Sequence, residues 1–505
     1  MKGVLTALLI GGTLTGAVPS APAGAQIHVS PAGSDSGDGS ITSPYRTIQK
    51  GLSAAQPGMT VYLRGGTYVN SLTITFPRSG LVDQPIRLWA YPGETPVLDF
   101  SPQPPSSSMR GVSLGKNFWH LKGLHVGHAG DNGIYISGSY NTVEQCVLFE
   151  NEDTGLQISG GGSYNLVLNC DSRGNYDSAS HGENADGFAP KLEIGPGNVF
   201  RGCRAYDNAD DGWDMFESNQ QVVMDSCWAF RNGFNIWGDP SFQGDGNGFK
   251  LGGNFVAAPH LVLHCLAFDN RDKGFDQNNN TAGQTLYNCT GWRNGRNFVL
   301  AAAPATGQHV LKNNLSYGAA VQIHAGSLQQ TNSWQGFTVT AADFEALDTS
   351  AARIPRDPDG SIPRIGLLRL APGSSLIDAG VEVGFPFRGP APDIGAYEYD
   401  GPDGVAGRGN APAGFGLLGN YPNPFNPATA IVYELSRRSR VELAVVDILG
   451  RTVAVISAGE QASGVHRVVW SAAGMAAGVY TARLAAVPPE GGRAAVQVLR
   501  MVLVK

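Results

Sequence analysis

Every cysteine in this chain occupies the same place in a repeating phrase. The six are Cys146, Cys170, Cys203, Cys227, Cys265 and Cys289. Four of the phrases read Glu-Gln-Cys-Val-Leu-Phe-Glu-Asn at 144–151, Arg-Gly-Cys-Arg-Ala-Tyr-Asp-Asn at 201–208, Asp-Ser-Cys-Trp-Ala-Phe-Arg-Asn at 225–232 and Leu-His-Cys-Leu-Ala-Phe-Asp-Asn at 263–270. Successive cysteines are 24, 33, 24, 38 and 24 residues apart, a basal period of 24 broken by insertions. A unit this short cannot bury its own apolar face, so the units must stack as a repeat fold.

A second anchor runs beside the first. Gly133-Ile134, Gly155-Leu156, Gly187-Phe188, Gly212-Trp213, Gly248-Phe249 and Gly274-Phe275 each pair a glycine with a large apolar residue. The runs around the cysteines alternate apolar and polar residues between Asn, Asp and Gly corners, and helix-length periodic segments are absent from the repeat. These signs point to a parallel β-helix, with cysteine as a small buried apolar residue in an internal ladder. A disulfide framework is the competing reading of an even cysteine count in an exported chain. Six cysteines in 505 residues are few for one, and a chain this large has no need of it.

The ends have other characters. Lys2, the apolar stretch 4–16 and Ala23-Gly24-Ala25 form the pattern of a secretory signal peptide over residues 1–25. No later stretch is long and apolar enough to span a bilayer, so there is no transmembrane segment and the mature protein is expected to be secreted or attached to the cell surface. Ile48, Leu52 and Ala55 mark a short amphipathic helix placed to plug the first coil, whose edges are otherwise unpaired. The helical domain is expected to span 26–400, a Gly, Pro and Ala-rich linker 401–414, and a small Ig-like β-sandwich 415–505. A formal net charge of −7 offers no footprint for nucleic acid. The protein is expected to act as a monomer.

Residues 181–276 carry the densest charge and the most disturbed spacing. Counted from the anchoring glycine, the position two residues after it reads Ala189, Asp214, Lys250, Asp276, and the position one before it reads Asp186, Asp211, Asn247, Lys273. That register crowds Asp186, Asp210, Asp211 and Asp214 onto adjacent coils with Lys250 beside Asp214. So many carboxylates repel one another unless a hard cation resolves them, and an all-oxygen set suits calcium. A solvated row of acidic turn residues is the plainer alternative. Beside a cation, Lys250 becomes a candidate base with a lowered pKa. Cys170 to Gly187 takes 17 residues and Cys227 to Gly248 takes 21, against a basal nine, so two longer loops flank the Asp210 coil as walls of a cleft.

Asn184-Ala-Asp-Gly-Phe188, Asn208-Ala-Asp-Asp-Gly-Trp-Asp214 and Gly248-Phe-Lys250 resemble the calcium and catalytic motifs of polysaccharide lyase family nine, the pectate lyases. The likeness covers roughly 27–400, and four acids and one lysine match in identity and spacing. It implies a right-handed parallel β-helix that cleaves polygalacturonate, the substrate in pectin, by β-elimination. Asp186, Asp210, Asp211 and Asp214 would bind Ca2+, and Lys250 would be the Brønsted base, with an alkaline optimum. Arg271 and Lys273 are candidate substrate-binding residues. Gly419-Asn-Tyr-Pro-Asn-Pro-Phe-Asn-Pro427, Asp447-Ile-Leu-Gly-Arg451 and the terminal Met501-Val-Leu-Val-Lys505 resemble the C-terminal sorting domain of the type nine secretion system, which implies the secretion machinery as a partner. A β-helix glycoside hydrolase acting on pectin and a non-catalytic surface adhesin are the rival functions.

Overall fold

The computed structural model describes residues 25–401 apart from 83, 384 and 386, and 416–503 apart from 422–424, 426, 436, 448–450, 477 and 488–494. The expected signal segment and linker fall almost wholly outside the described residues, as do parts of the sorting-domain motifs. The chain winds through three parallel sheets of 12, 10 and 10 strands, each taking every third strand in turn. The first sheet begins with Gln26–Val29, the second with Gly66–Val69 and the third with Ile74–Thr75.

Left-handed residues make the corners. Between the first and second sheets, Gln145, Asn169, Gly202, Ser226, His264 and Asn288 have φ between 50° and 60°, and each directly precedes a cysteine. The bend turns the cysteine inward, and all six are buried with free thiols. No disulfide joins them, which removes the framework reading; Cys146 N–H instead donates to Cys170 Sγ and Cys227 N–H to Cys265 Sγ, both at 3.4 Å.

Between the second and third sheets a second left-handed residue (Glu150, Gly174, Asp207, Arg231, Asp269 or Arg293) precedes Asn151, Asn175, Asn208, Asn232, Asn270 or Asn294. These asparagines form a ladder. Asn175 Oδ1 accepts from the backbone N–H and the Nδ2 of Asn151, and the pattern repeats through Asn208, Asn232, Asn270 and Asn294. Each buried amide thereby satisfies its neighbour on the preceding coil. At the corner leading back to the first sheet, Asn165 Oδ1 accepts from Asn141 N–H and Asn198 Oδ1 from both the N–H and the Nδ2 of Asn165, and Gln284 and His309 accept from the backbone N–H of His260 and Gln284 farther along.

The core is a stack of rings. Phe188, Trp213, Phe249, Phe275 and Phe298 lie face to face on successive coils with centroids 4.7–5.0 Å apart. The glycine before each of the first four rings is enforced by close packing, and Asn297 takes its place before Phe298. A Cβ at Gly212 would sit 2.6 Å from the Gly248 carbonyl oxygen, so no larger residue fits without moving backbone.

The expected capping helix spans Ile48–Ala54, begun by the Thr47 side chain, which accepts from Lys50 N–H, and it buries Ile48, Leu52 and the adjoining Ala55. Beyond the coils, Phe344, Leu367, Leu370 and Ile394 pack on the outer rings of the second sheet, among them Tyr206, Phe230 and Phe268. Residues 416–503 form separate antiparallel sheets of three and four strands around a core that includes Phe425, Tyr433, Leu443, Trp470 and Met501. No described helix is long and apolar enough to cross a membrane.

Candidate active site

Strand pairing in the third sheet fixes the site. Phe188 pairs with Trp213, Trp213 with Phe249 and Asp214 with Lys250. The residue before each anchoring glycine therefore stacks in one column, in which Asp186 is followed by Asp211, Asn247 and Lys273. One ligand oxygen from each of Asp186, Asp210 and Asp211 can be chosen so that all three lie within 4.8 Å of one another, and all three side chains are buried.

The carboxylates are held in place by donors from neighbouring coils. Asp186 accepts from Asp211 N–H at 3.2 Å, Thr154 Oγ1 at 3.1 Å and Lys191 Nζ at 2.8 Å. Asp210 accepts from the Asn184 and Asp245 backbone N–H groups at 3.1 and 2.6 Å. Asp211 Oδ1 accepts from the backbone and side chain of Asn247 at 2.6 and 2.8 Å. Its Oδ2 makes no hydrogen bond, although Lys250 Nζ stands 3.1 Å away.

Asp214 stands apart from the tight triad and faces the lysines. Its oxygens lie 3.5 Å from Lys191 Nζ and 3.8 Å from Lys250 Nζ, and Oδ1 also accepts from Phe216 N–H at 3.0 Å. Lys191 escaped the sequence reading because it lies four residues past the glycine, outside both repeating anchors. Asp245, 3.3 Å from Lys250 Nζ, belongs to an insertion and was equally invisible in the period.

The charges are frustrated. Burial, followed by the opposing effect of Lys191 and then repulsion from Asp214 and Asp211, leaves the Asp186 carboxyl pushed up to about 8. Burial likewise lifts Asp211 to about 6 against the pull of Lys250, and Asp210 rises well above the usual range. Burial alone would lower Lys250, but Asp211, Asp214, Asp210 and Asp186 override it and raise its pKa. With the carboxylates as its neighbours Lys250 thus holds its proton more firmly than an ordinary lysine, the reverse of the shift expected beside a cation.

This set fits a divalent hard cation. Two oxygens bound at 2.3–2.6 Å to one calcium ion lie no more than about 5.2 Å apart, and the triad satisfies that limit. Asp186, Asp210, Asp211 and Asp214 with Lys191 and Lys250 carry a formal −4 + 2 = −2. The buried Asp211 Oδ2 accepts no hydrogen bond and faces the Lys250 ammonium 3.1 Å away.

The two longer loops meet over the Asp210 coil. Tyr176 Oη donates to Asp239 at 2.6 Å and its ring stacks on Trp237 at 4.8 Å, while Gln243 N–H donates to the His181 carbonyl. Arg271 braces this wall by donating to the Gly244 carbonyl at 2.7 Å. Lys273 lies on the cleft floor between Asp272 and Asp276, at 2.8 and 3.0 Å.

The sequence profile of the Pel9A-like right-handed β-helix region matches residues 27–314. Pectate lyase L of Dickeya dadantii (strain 3937) is 43% identical over 384 residues, covering 74% of this chain and 90% of that protein. The chain belongs to the Pel9A-like β-helix family. It is a polysaccharide lyase. Within the family, the crystal structure of pectate lyase Pel9A superposes with a TM-score of 0.70 at 41% identity, over 74% of this chain and 96% of that one. A rhamnogalacturonan lyase superposes with a TM-score of 0.61 at 29% identity, over 69% and 97%.

Proposed function

We propose that the chain is a secreted, calcium-dependent pectate lyase that cleaves polygalacturonate by β-elimination. Asp186, Asp210, Asp211 and Asp214 would hold the calcium ion, whose chemical contribution is to neutralise the uronate carboxylate. The observation that carries the reading is Lys250 Nζ, 3.1 Å from the unbonded oxygen of Asp211 and on the coil next to the acidic triad.

Lys250 takes the C5 proton in its neutral form. The electron pair left at C5 forms the C4–C5 double bond, and the C4–oxygen bond breaks with its electrons leaving on the glycosidic oxygen, which gains a proton from solvent. No water attacks. An ordinary lysine amine is neutral in only about one molecule in a few thousand at pH 7, and that fraction grows with pH, which gives the alkaline optimum. Lys191 anchors Asp186 and Asp214, and Asn247 anchors Asp211, so the carboxylates keep their geometry as the lysine changes charge. Lys273, paired with Asp272 and Asp276, would meet a uronate carboxylate, and Arg271 supports the wall above.

The substrate reading favours galacturonan over rhamnogalacturonan, since the likeness to Pel9A is 41% against 29% for the rhamnogalacturonan lyase. Digestion of both polymers after chelation and after calcium add-back, with calorimetric titration of calcium into the protein and into Asp211→Asn, tests the assignment. The reading expects calcium-restored cleavage of polygalacturonate and a weakened titration in the variant. Full activity in chelator would defeat it.

The C-terminal region serves as a type nine sorting domain in this account, supported by its sequence motifs and its separate antiparallel sheets. Removing residues 415–505 should leave the enzyme inside a host that carries that secretion system. Unchanged export of the truncated chain would assign the region another role.

A further inference from the structure

The column that contains Asp186 and Asp211 continues in both directions. The pairing of Val112, Ile134, Leu156, Phe188, Trp213, Phe249 and Phe275 on successive strands extends it as Arg110, Asn132, Thr154, Asp186, Asp211, Asn247 and Lys273, and Lys273 itself pairs with Arg296. One straight row thus has cations at both ends and the acidic site in its middle. Such a row suits a polyanion lying along the helix axis, where successive coils repeat at roughly 4.8 Å.

The three end cations differ in what they already hold. Lys273 is paired with Asp272 and Asp276, and Arg296 donates to Asp272 and Gln322. Arg110 uses Nε alone, 3.3 Å from Asp131, and its two terminal nitrogens make no bond among the described residues. Its guanidinium lies 3.5 Å above the centre of the Tyr135 ring, which fixes the plane of the fork, and its side chain remains 32% exposed. A pre-oriented guanidinium with a free edge is the geometry that grips a carboxylate through two parallel bonds. Burial, with repulsion and a hydrogen bond from Asp153 and against the pull of Arg110, holds Asp131 up at about 7, so this corner carries less negative charge than two free carboxylates.

We infer that Arg110, stacked on Tyr135, is a distal subsite that binds the carboxylate of a uronate five coils from Lys250 along the same polymer. At about 4.8 Å per coil the two points are roughly 24 Å apart. The inference rests on the lyase reading above and extends it from the point of cleavage to the length of chain recognised. Arg110 touches no reacting atom; it discriminates long, unesterified runs from short or methylated ones.

The test compares tri- and octagalacturonate with the calcium-loaded protein, Arg110→Gln, Arg110→Lys and Tyr135→Leu, with a melting curve for each. In Arg110→Gln the KM for the octamer should rise about tenfold relative to the KM for the trimer, the weight of one charged bidentate contact. Arg110→Lys keeps the charge but loses the fork, and Tyr135→Leu loses the platform, so both should fall between. An unchanged ratio of the two KM values, or an equal rise for both lengths, would overturn the proposal. Calorimetric binding of the octamer to the same proteins reads the subsite without turnover. If no unsaturated product forms at all, the lyase reading fails, while equal octamer binding by parent and Arg110→Gln would sink the subsite separately.

Discussion

Two columns of this molecule are built on the same period and put to opposite uses. At the asparagine corner, one residue type recurs on six coils and every side chain bonds the next, from Asn151 to Asn294. Three residues on from each of three of these asparagines, the column through Asp186 and Asp211 changes identity at almost every coil, and its groups are left with mismatched charge and an unbonded oxygen. Repetition at this corner satisfies the buried amides coil by coil. Departure from repetition concentrates charge that only a ligand or a substrate can balance.

Breaking the second column should cost activity, and breaking the first should cost stability. Lys250→Ala removes the proton acceptor, and kcat on polygalacturonate should drop about a thousandfold while the melting temperature changes little by comparison. Asp211→Asn takes one charge from the triad, so calcium affinity measured by titration should fall by about two decades. Asn151→Ala strands the buried Ala129 N–H, while Asn175 Oδ1 loses the Asn151 Nδ2 but keeps its backbone N–H, and chemical denaturation should register a loss of about 2 kcal/mol with kcat per folded molecule preserved.

A smaller effect separates the two columns by pH. Asp186 and Asp211 bind protons more tightly in the folded chain than in the unfolded one, where their pKa is near 3.8. The calcium-free protein should therefore lose stability as pH rises from about 4 to about 8, and calcium should restore most at the upper end of that window. Cys146→Ala, in the cysteine ladder, should cost about 1 kcal/mol and leave this pH profile untouched.

Much of this was legible in the period. The cysteine spacing and the glycine anchors aligned Asp214 with Lys250 and Asp186 with Asp211 before any coordinates, because parallel strands on successive coils stack equivalent positions. Lys191 was not legible, since it reaches the acids from a loop where the repeat carries no register. The asparagine ladder was in plain sight at the end of each cysteine phrase, yet a corner asparagine reads equally well as a turn residue until its Oδ1 is seen accepting from the neighbouring coil. The third ladder changes from asparagine to histidine and glutamine, which conceals it from any search for identity. Arg271 was expected to meet substrate on charge alone; its reach to the Gly244 carbonyl depends on an insertion whose path the sequence does not state.

The most direct test of Lys250 as the base of an elimination is to count unsaturated ends per bond cleaved. Polygalacturonate is digested with calcium by the parent and by Lys250→Ala, reading the ultraviolet absorbance of the unsaturated uronate alongside new reducing ends. The account predicts one unsaturated end for each reducing end in the parent, at a rate that climbs into alkaline buffer, and almost no product from the variant. Reducing ends that appear without the chromophore, or a Lys250→Ala protein that keeps most of its rate, would contradict it.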